Sequence, residues 1–200
     1  MKKAILPLIA LFAFSSMAWA NNNSPTGTEQ KPSDDHLITH GSAGPFSLKA
    51  GFPGEGEYMG YELVRKVEKM DSPDGPYEII SYECQIDGVT HMEIFPNTED
   101  DGSEGGWISE IKVVSDVYKT EAGIGVGSTI DEFYAAYDDA EALYTYISGA
   151  FWLETKQFSG VQFQMKGSDY AEEPSFDSDL TELDKGKFKK GAQVDYIRIY

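Results

Sequence analysis

The chain has 200 residues, with 16 basic side chains against 34 acidic ones and a formal net charge of −18. A field of that sign repels nucleic acid and anionic lipid, and it draws cations or a basic protein partner toward the surface. The single cysteine, Cys84, excludes an internal disulfide framework, and no Cys/His cluster or HExxH spacing points to a structural zinc site.

Lys2 and Lys3 precede an apolar run from Ala4 to Phe14, and small residues stand at Ala18 and Ala20. This order predicts a secretory signal peptide over residues 1–20, cut after Ala20, and a periplasmic or secreted mature protein. The run is shorter than the roughly 20 apolar residues a membrane span requires. No cysteine follows it to carry a lipid, and no later stretch is apolar enough to cross a bilayer, so no integral membrane segment is expected. Residues 21–36 are polar, with Pro25 and Pro32. They read as a flexible leader, because they offer too little apolar surface to offset ordering entropy. A single folded domain is expected over 37–200.

Gly41 to Gly54 is rich in Gly and Pro and predicts a folded loop with at most a short helix. Tyr58 to Met70 reads as a strand, and Asp71 to Pro76 as a turn. A second strand runs from Tyr77 to Ile86. Asp87-Gly88 then predicts a tight hairpin, since both positions must tolerate positive φ. Val89 to Phe95 is the third strand, Pro96 to Gly106 an acidic flexible loop, and Trp107 to Val114 the fourth strand. The first half therefore reads as an antiparallel meander.

A loop with Gly123, Gly125 and Gly127 leads to the main helix, placed near 129–138. Thr129 and Glu132 form a capping-box pattern, and Ile130, Phe133, Tyr134 and Tyr137 make one apolar stripe. Strands follow over Leu143 to Ile147, Phe151 to Glu154, Gly160 to Lys166 and Val194 to Tyr200. The polar insertion from Gly167 to Lys190 carries one helical turn around Leu180 to Leu183. The expected fold class is α+β: an antiparallel sheet of about seven or eight strands with one main amphipathic helix.

The residues that carry chemistry are sparse. The glycine loop opens a helix, where backbone N–H groups can hold an anion, but it lacks a Walker lysine and reads as a tight loop. His36 and His40 lie four apart beside Gly41, where no helix would bring them together. Cys84 alternates within a strand and reads as a small buried hydrophobe. Acidic residues are too numerous for any carboxylate pair to stand out. Asn97, Glu99, Asp100, Asp101 and Glu104 supply the oxygen ligands a calcium site uses, in an order unlike an EF-hand. Tyr144, Tyr146 and Trp152 would make a contact patch for protein or glycan if they faced outward together.

The order of several short motifs resembles an enterobacterial, envelope-stress-regulated (sigma-E) lipoprotein family of unknown function. Ser42-Ala43-Gly44 opens the folded part and Phe52-Pro53-Gly54 follows. Ile108 to Val113 comes next, then Gly123-Ile124-Gly125-Val126-Gly127-Ser128, and the chain closes on Tyr196-Ile197-Arg198-Ile199. The likeness spans residues 37–200. This chain differs in lacking a lipobox cysteine and any cysteine from Asp138 onward. The resemblance implies envelope maintenance and supplies no catalytic residue.

The expected function is that of an exported, soluble, non-enzymatic binding protein whose acidic loops at 97–104 and 168–184 steer a basic protein partner. An inhibitor of a basic enzyme such as lysozyme is one concrete form. The alternatives are a calcium-dependent structural or adhesion domain and a carboxylate-based hydrolase.

Overall fold

The computed structural model describes residues 34–71, 75–174 and 178–200. The expected signal peptide and nearly all of the leader lie outside these residues. Asp34–His36, expected to belong to the leader, forms a 3-10 turn.

In chain order the strands are β1 (Ser42–Ala43), β2 (Phe46–Ser47), β3 (Gly56–Tyr58), β4 (Tyr61–Met70), β5 (Tyr77–Ile86), β6 (Val89–Thr98) and β7 (Glu104–Val113). Helix α1 (Ile130–Ala136) follows. Then come β8 (Glu141–Thr145), β9 (Ala150–Glu154), β10 (Val161–Met165), β11 (Thr181–Glu182) and β12 (Val194–Ile199). β1 and β2 pair with each other. The other ten strands form one sheet, antiparallel throughout, in the order β11-β8-β9-β10-β12-β7-β6-β5-β4-β3.

One transverse row shows how the core is laid down. Leu63 faces Cys84, which faces Met92, then Val113, Ile197, Phe163, Leu153 and Ala142. All eight are at most 1% exposed. Period-two alternation puts them on the same face, so a continuous apolar band crosses eight strands. The terminal strand β12 is the joint, because it pairs with β7 on one side and with β10 on the other.

The α+β expectation is corrected here. Among the described residues the fold is mostly β, with a main sheet of ten strands rather than seven or eight and a single α-helix, of seven residues. The capping box at Thr129 is formed: its backbone N–H donates to Glu132 at 2.7 Å, and its hydroxyl accepts from the Glu132 N–H at 3.2 Å. The helix ends at Ala136 because Tyr137 takes an extended backbone. Two residues on, the Asp139 carboxylate accepts from the Thr155 hydroxyl and from the Lys156 N–H, which draws the chain away toward the end of β9. Phe133 and Tyr137 still reach the core, with Phe133 4.9 Å from the Phe163 ring.

The additional strands are short. Tyr58 to Met70 is two strands, because Met59 and Gly60 both take positive φ and close a two-residue hairpin. Thr181–Glu182 pairs with β8 where a helical turn was expected. The acidic loop is shorter than expected, since β6 continues to Thr98 and β7 begins at Glu104. The Gly/Pro stretch is bound to the sheet by backbone hydrogen bonds. Lys49 N–H donates to Ile108 C=O, Ile108 N–H to Ala50 C=O, and Phe52 N–H to Gly106 C=O. That leaves Phe46 buried against the Tyr61 ring at 5.3 Å.

Candidate functional site

β5 begins, β6 ends and β7 begins at one end of the meander, and the connection over 99–103 projects there. Glu99 N–H donates to Ser103 C=O, and Gly102, at φ 82°, donates to Glu99 C=O, both at 2.9 Å. The Ser103 hydroxyl and N–H both donate to Asp101, and these bonds hold its carboxyl below the ordinary aspartate value. Beneath this tip lies a groove of about 340 Å³. Ile79, Ile80, Phe95 and Pro96 supply its apolar surface, while Glu78 and Glu104 bring carboxylates to it. Tyr77 lines the same groove and is 48% exposed, and Trp107, near the start of β7, is 42% exposed. Exposed aromatics beside an acidic tip combine the large contact area and the charge on which recognition of a cationic partner rests.

The base of this rim is held firmly. Arg65 Nη2 and Nε donate to Glu104 Oε1 at 2.6 and 2.9 Å, and the Tyr82 hydroxyl donates to Oε2 at 2.5 Å. The Tyr82 bond, joined by Arg65, keeps the Glu104 carboxyl below the usual glutamate value. The buried Asn97 is a strut. Its amide donates to Glu99, and its carbonyl oxygen accepts from the Trp107 N–H at 3.0 Å. Gly105 passes directly against it, where a Cβ would stand 2.1 Å from the Asn97 amide.

The five residues expected to ligate calcium are thus divided. Asn97 and Glu104 are turned into internal bonds, whereas Glu99, Asp100 and Asp101 are exposed at the tip. Among the described residues, no three His, Cys, Asp or Glu side chains converge as metal ligands.

The three aromatics expected as a patch are also separated. Tyr144 faces Phe151, and Leu143 faces Trp152, so Tyr144 and Trp152 lie on opposite faces of the sheet. Both are buried, and the Trp152 indole N–H donates to Glu154 at 2.9 Å. Only Tyr146, in the β8–β9 turn, is exposed.

Other candidate groups are occupied by the fold. In the glycine loop, Gly125 N–H donates to the Ser128 hydroxyl and Gly127 N–H to Val194 C=O, so amides that could cradle an anion already have protein partners. Cys84 is fully buried, and burial, with the Glu93 charge beside it, pushes its thiol up to about 12. It is therefore not a nucleophile near neutral pH. His36 and His91 pack against the Tyr118 ring at 5.3 and 6.3 Å, and His40 against Phe158 at 5.6 Å.

On the face opposite the core band, Glu93 lies between two lysines, with Lys66 and Lys112 each donating to one of its oxygens at 3.1 and 3.0 Å. Burial favours the protonated acid, but together the two ammonium groups outweigh it and hold the carboxyl below the usual glutamate value. Arg198 and Glu110 form a two-bond clasp nearby, both contacts at 2.7 Å.

The sequence reading missed the groove and the exposed Tyr77 and Trp107. Trp107 had a visible signal, since a tryptophan directly after Gly105-Gly106 at a strand start has little around it to bury it. Among the described residues no helix is long and apolar enough to cross a membrane.

Comparison with known proteins places little beside this chain. No protein family matches it, and no curated protein does. The crystal structure of the uncharacterised protein YfeY from Escherichia coli is similar over 82% of this chain and 98% of its own, at a TM-score of 0.47 and 14% identity. It is a distant likeness to a protein without an assigned function.

Proposed function

We propose that this is an exported, non-enzymatic binding protein of the cell envelope or its surroundings, and that it engages a basic protein partner through the rim formed by the 99–103 tip, Tyr77 and Trp107. The signal-like order of residues 1–20 supports export. One observation carries the binding reading: Glu99, Asp100 and Asp101 are exposed beside two exposed aromatic side chains and a groove with apolar walls. A lysine or arginine could lay its aliphatic stem along Ile79 and Phe95 and present its charge to the carboxylates. The overall charge of −18 would steer such a partner from a distance, and salt would weaken that steering.

Lysozyme is a suitable basic probe. Titrating the purified protein into lysozyme should give a complex by analytical ultracentrifugation, with parallel loss of lytic activity if the rim covers the enzyme's cleft. Absence of both a complex and inhibition would remove the inhibitor form of the proposal.

A further inference from the structure

A second groove opens where β9 ends, β10 begins and β12 ends. Its volume is about 320 Å³, at the small end of the ~300–1,000 Å³ range of ligand sites. Glu154, Lys156, Ser159, Gln162 and Tyr200 are among the residues that line it. Strand register places the key groups. Trp152 faces Gln164, and Gln162 faces Arg198. Leu153, Phe163 and Ile199 point into the core, so alternation puts Trp152, Glu154, Gln162, Gln164 and Tyr200 together on the opposite face.

The polar groups of the groove are held by buried neighbours. Gln164 is 3% exposed, and its amide donates to Gln162 Oε1 at 2.9 Å. Trp152 is 5% exposed, and its indole N–H donates to Glu154. A buried polar side chain costs free energy unless it is bonded, and here both bonds end on groups that line the groove. Tyr200 is fixed through its backbone. Its N–H donates to Gly160 C=O at 3.0 Å. Gly160, at φ 78°, passes so close that a Cβ would stand 2.6 Å from the Tyr200 carbonyl oxygen. The Arg198 guanidinium lies 5.7 Å from the Tyr200 ring centroid, and Tyr200 remains 53% exposed. An aromatic ring and polar groups held in advance lower the ordering cost of binding.

Three observations select the ligand. The first is charge. The lining carries one acid, Glu154, and one base, Lys156, and the nearby Arg198 is already bound to Glu110. The groove therefore favours neither an anion nor a cation, unlike the acidic rim. The second is main-chain pairing. β9 pairs with β8 and β10, and β12 with β10 and β7, so no strand edge here is open to an extended peptide. The third is the side-chain set: an exposed tyrosine, a carboxylate, a hydroxyl and an amide that both donates and accepts. A sugar ring turns C–H groups toward the electron-rich face of an aromatic ring, and its hydroxyls donate and accept around its edge.

We propose that this groove binds a neutral saccharide, with one sugar ring stacked on Tyr200 and its hydroxyls bonded to Glu154 and Gln162. No residue lines both this groove and the one beneath the acidic tip, so the two readings stand or fall separately.

The test is proton–nitrogen correlation NMR of the labelled protein, titrated separately with maltotriose, cellotriose and triacetylchitotriose. Each is taken to about 20 mM, which reaches a Kd of about 1 mM. Sodium phosphate and free lysine serve as charged probes. At least one trisaccharide should shift the Gln162 side-chain amide and backbone signals over 154–162. Tyr200→Ala should weaken that binding at least about tenfold. Glu154→Gln keeps the side-chain shape and an acceptor for Trp152, and it should weaken binding severalfold, so a folding defect in Tyr200→Ala leaves a second variant to read. No shift from any trisaccharide, a stronger response to phosphate or lysine, or unchanged affinity in a folded variant would overturn the proposal.

Discussion

Ile197 on the last strand stands directly opposite Val113 on β7, and both are fully buried. β12 also pairs with β10, so a contact between residues far apart in sequence makes one sheet of a meander and a later group of short strands. Ile197→Ala should destabilise the domain by about 2–5 kcal/mol, as large-to-small changes in sealed cores do. Urea denaturation followed by tryptophan fluorescence measures this. A loss below about 0.5 kcal/mol would mean that the joint is not closed as described.

Glu93 gives the fold a pH dependence of known sign. Its carboxyl is held below the ordinary glutamate value by Lys112 and Lys66. A depressed acid contributes stability that is present above its unfolded value and lost as pH falls through the folded one. Stability should therefore decline below the usual glutamate range. Glu93→Gln should cost about 1–3 kcal/mol at pH 7 and flatten that decline. Chemical denaturation at a series of pH values separates the two effects. An unchanged acid limb in the variant would show that this ion-paired carboxylate does not set the slope.

Some of this was legible in the sequence and some was not. Asp87-Gly88 announces its hairpin because two adjacent residues tolerant of positive φ mark that turn, and Asp87 and Gly88 have φ 52° and 74°. Thr129 and Glu132 announce the helix start because capping is local chemistry. The stop at Ala136 is not local, because it depends on Asp139 meeting Thr155 and Lys156, 16 and 17 residues further on and just past the end of β9. β3 and β11 have three and two residues, too few for any periodicity. Met59 hid a turn, since a methionine rarely takes positive φ. The acidic tip was visible as composition. The groove beside it was not, since Ile79, Phe95 and Glu104 come together only through strand register.

The rim depends on a close approach between two residues. Asn97 is buried and pinned by bonds to Glu99 and Trp107, so it cannot swing away from a methyl group placed on Gly105. Gly105→Ala should cost about 1–3 kcal/mol, the range for overpacking. The penalty should shrink when Asn97→Ala is combined with it, because the clash is removed. A thermal-denaturation double-mutant cycle reads the coupling. Additive effects would show that Asn97 and Gly105 do not meet as described.

The central claim is that the acidic, aromatic rim recognises a basic partner. The most direct measurement compares the native protein with the triple variant Asp100→Lys, Asp101→Lys, Trp107→Ala for retention on immobilised lysozyme at physiological salt. All three side chains are exposed and none packs in the core, so the sheet should be unaffected, although Asp101→Lys also removes the two Ser103 bonds within the tip. The account predicts retention of the native protein and at least about a tenfold loss of affinity in the variant, a change of about 1.4 kcal/mol. Equal retention of the two proteins, or none by the native one, would contradict it.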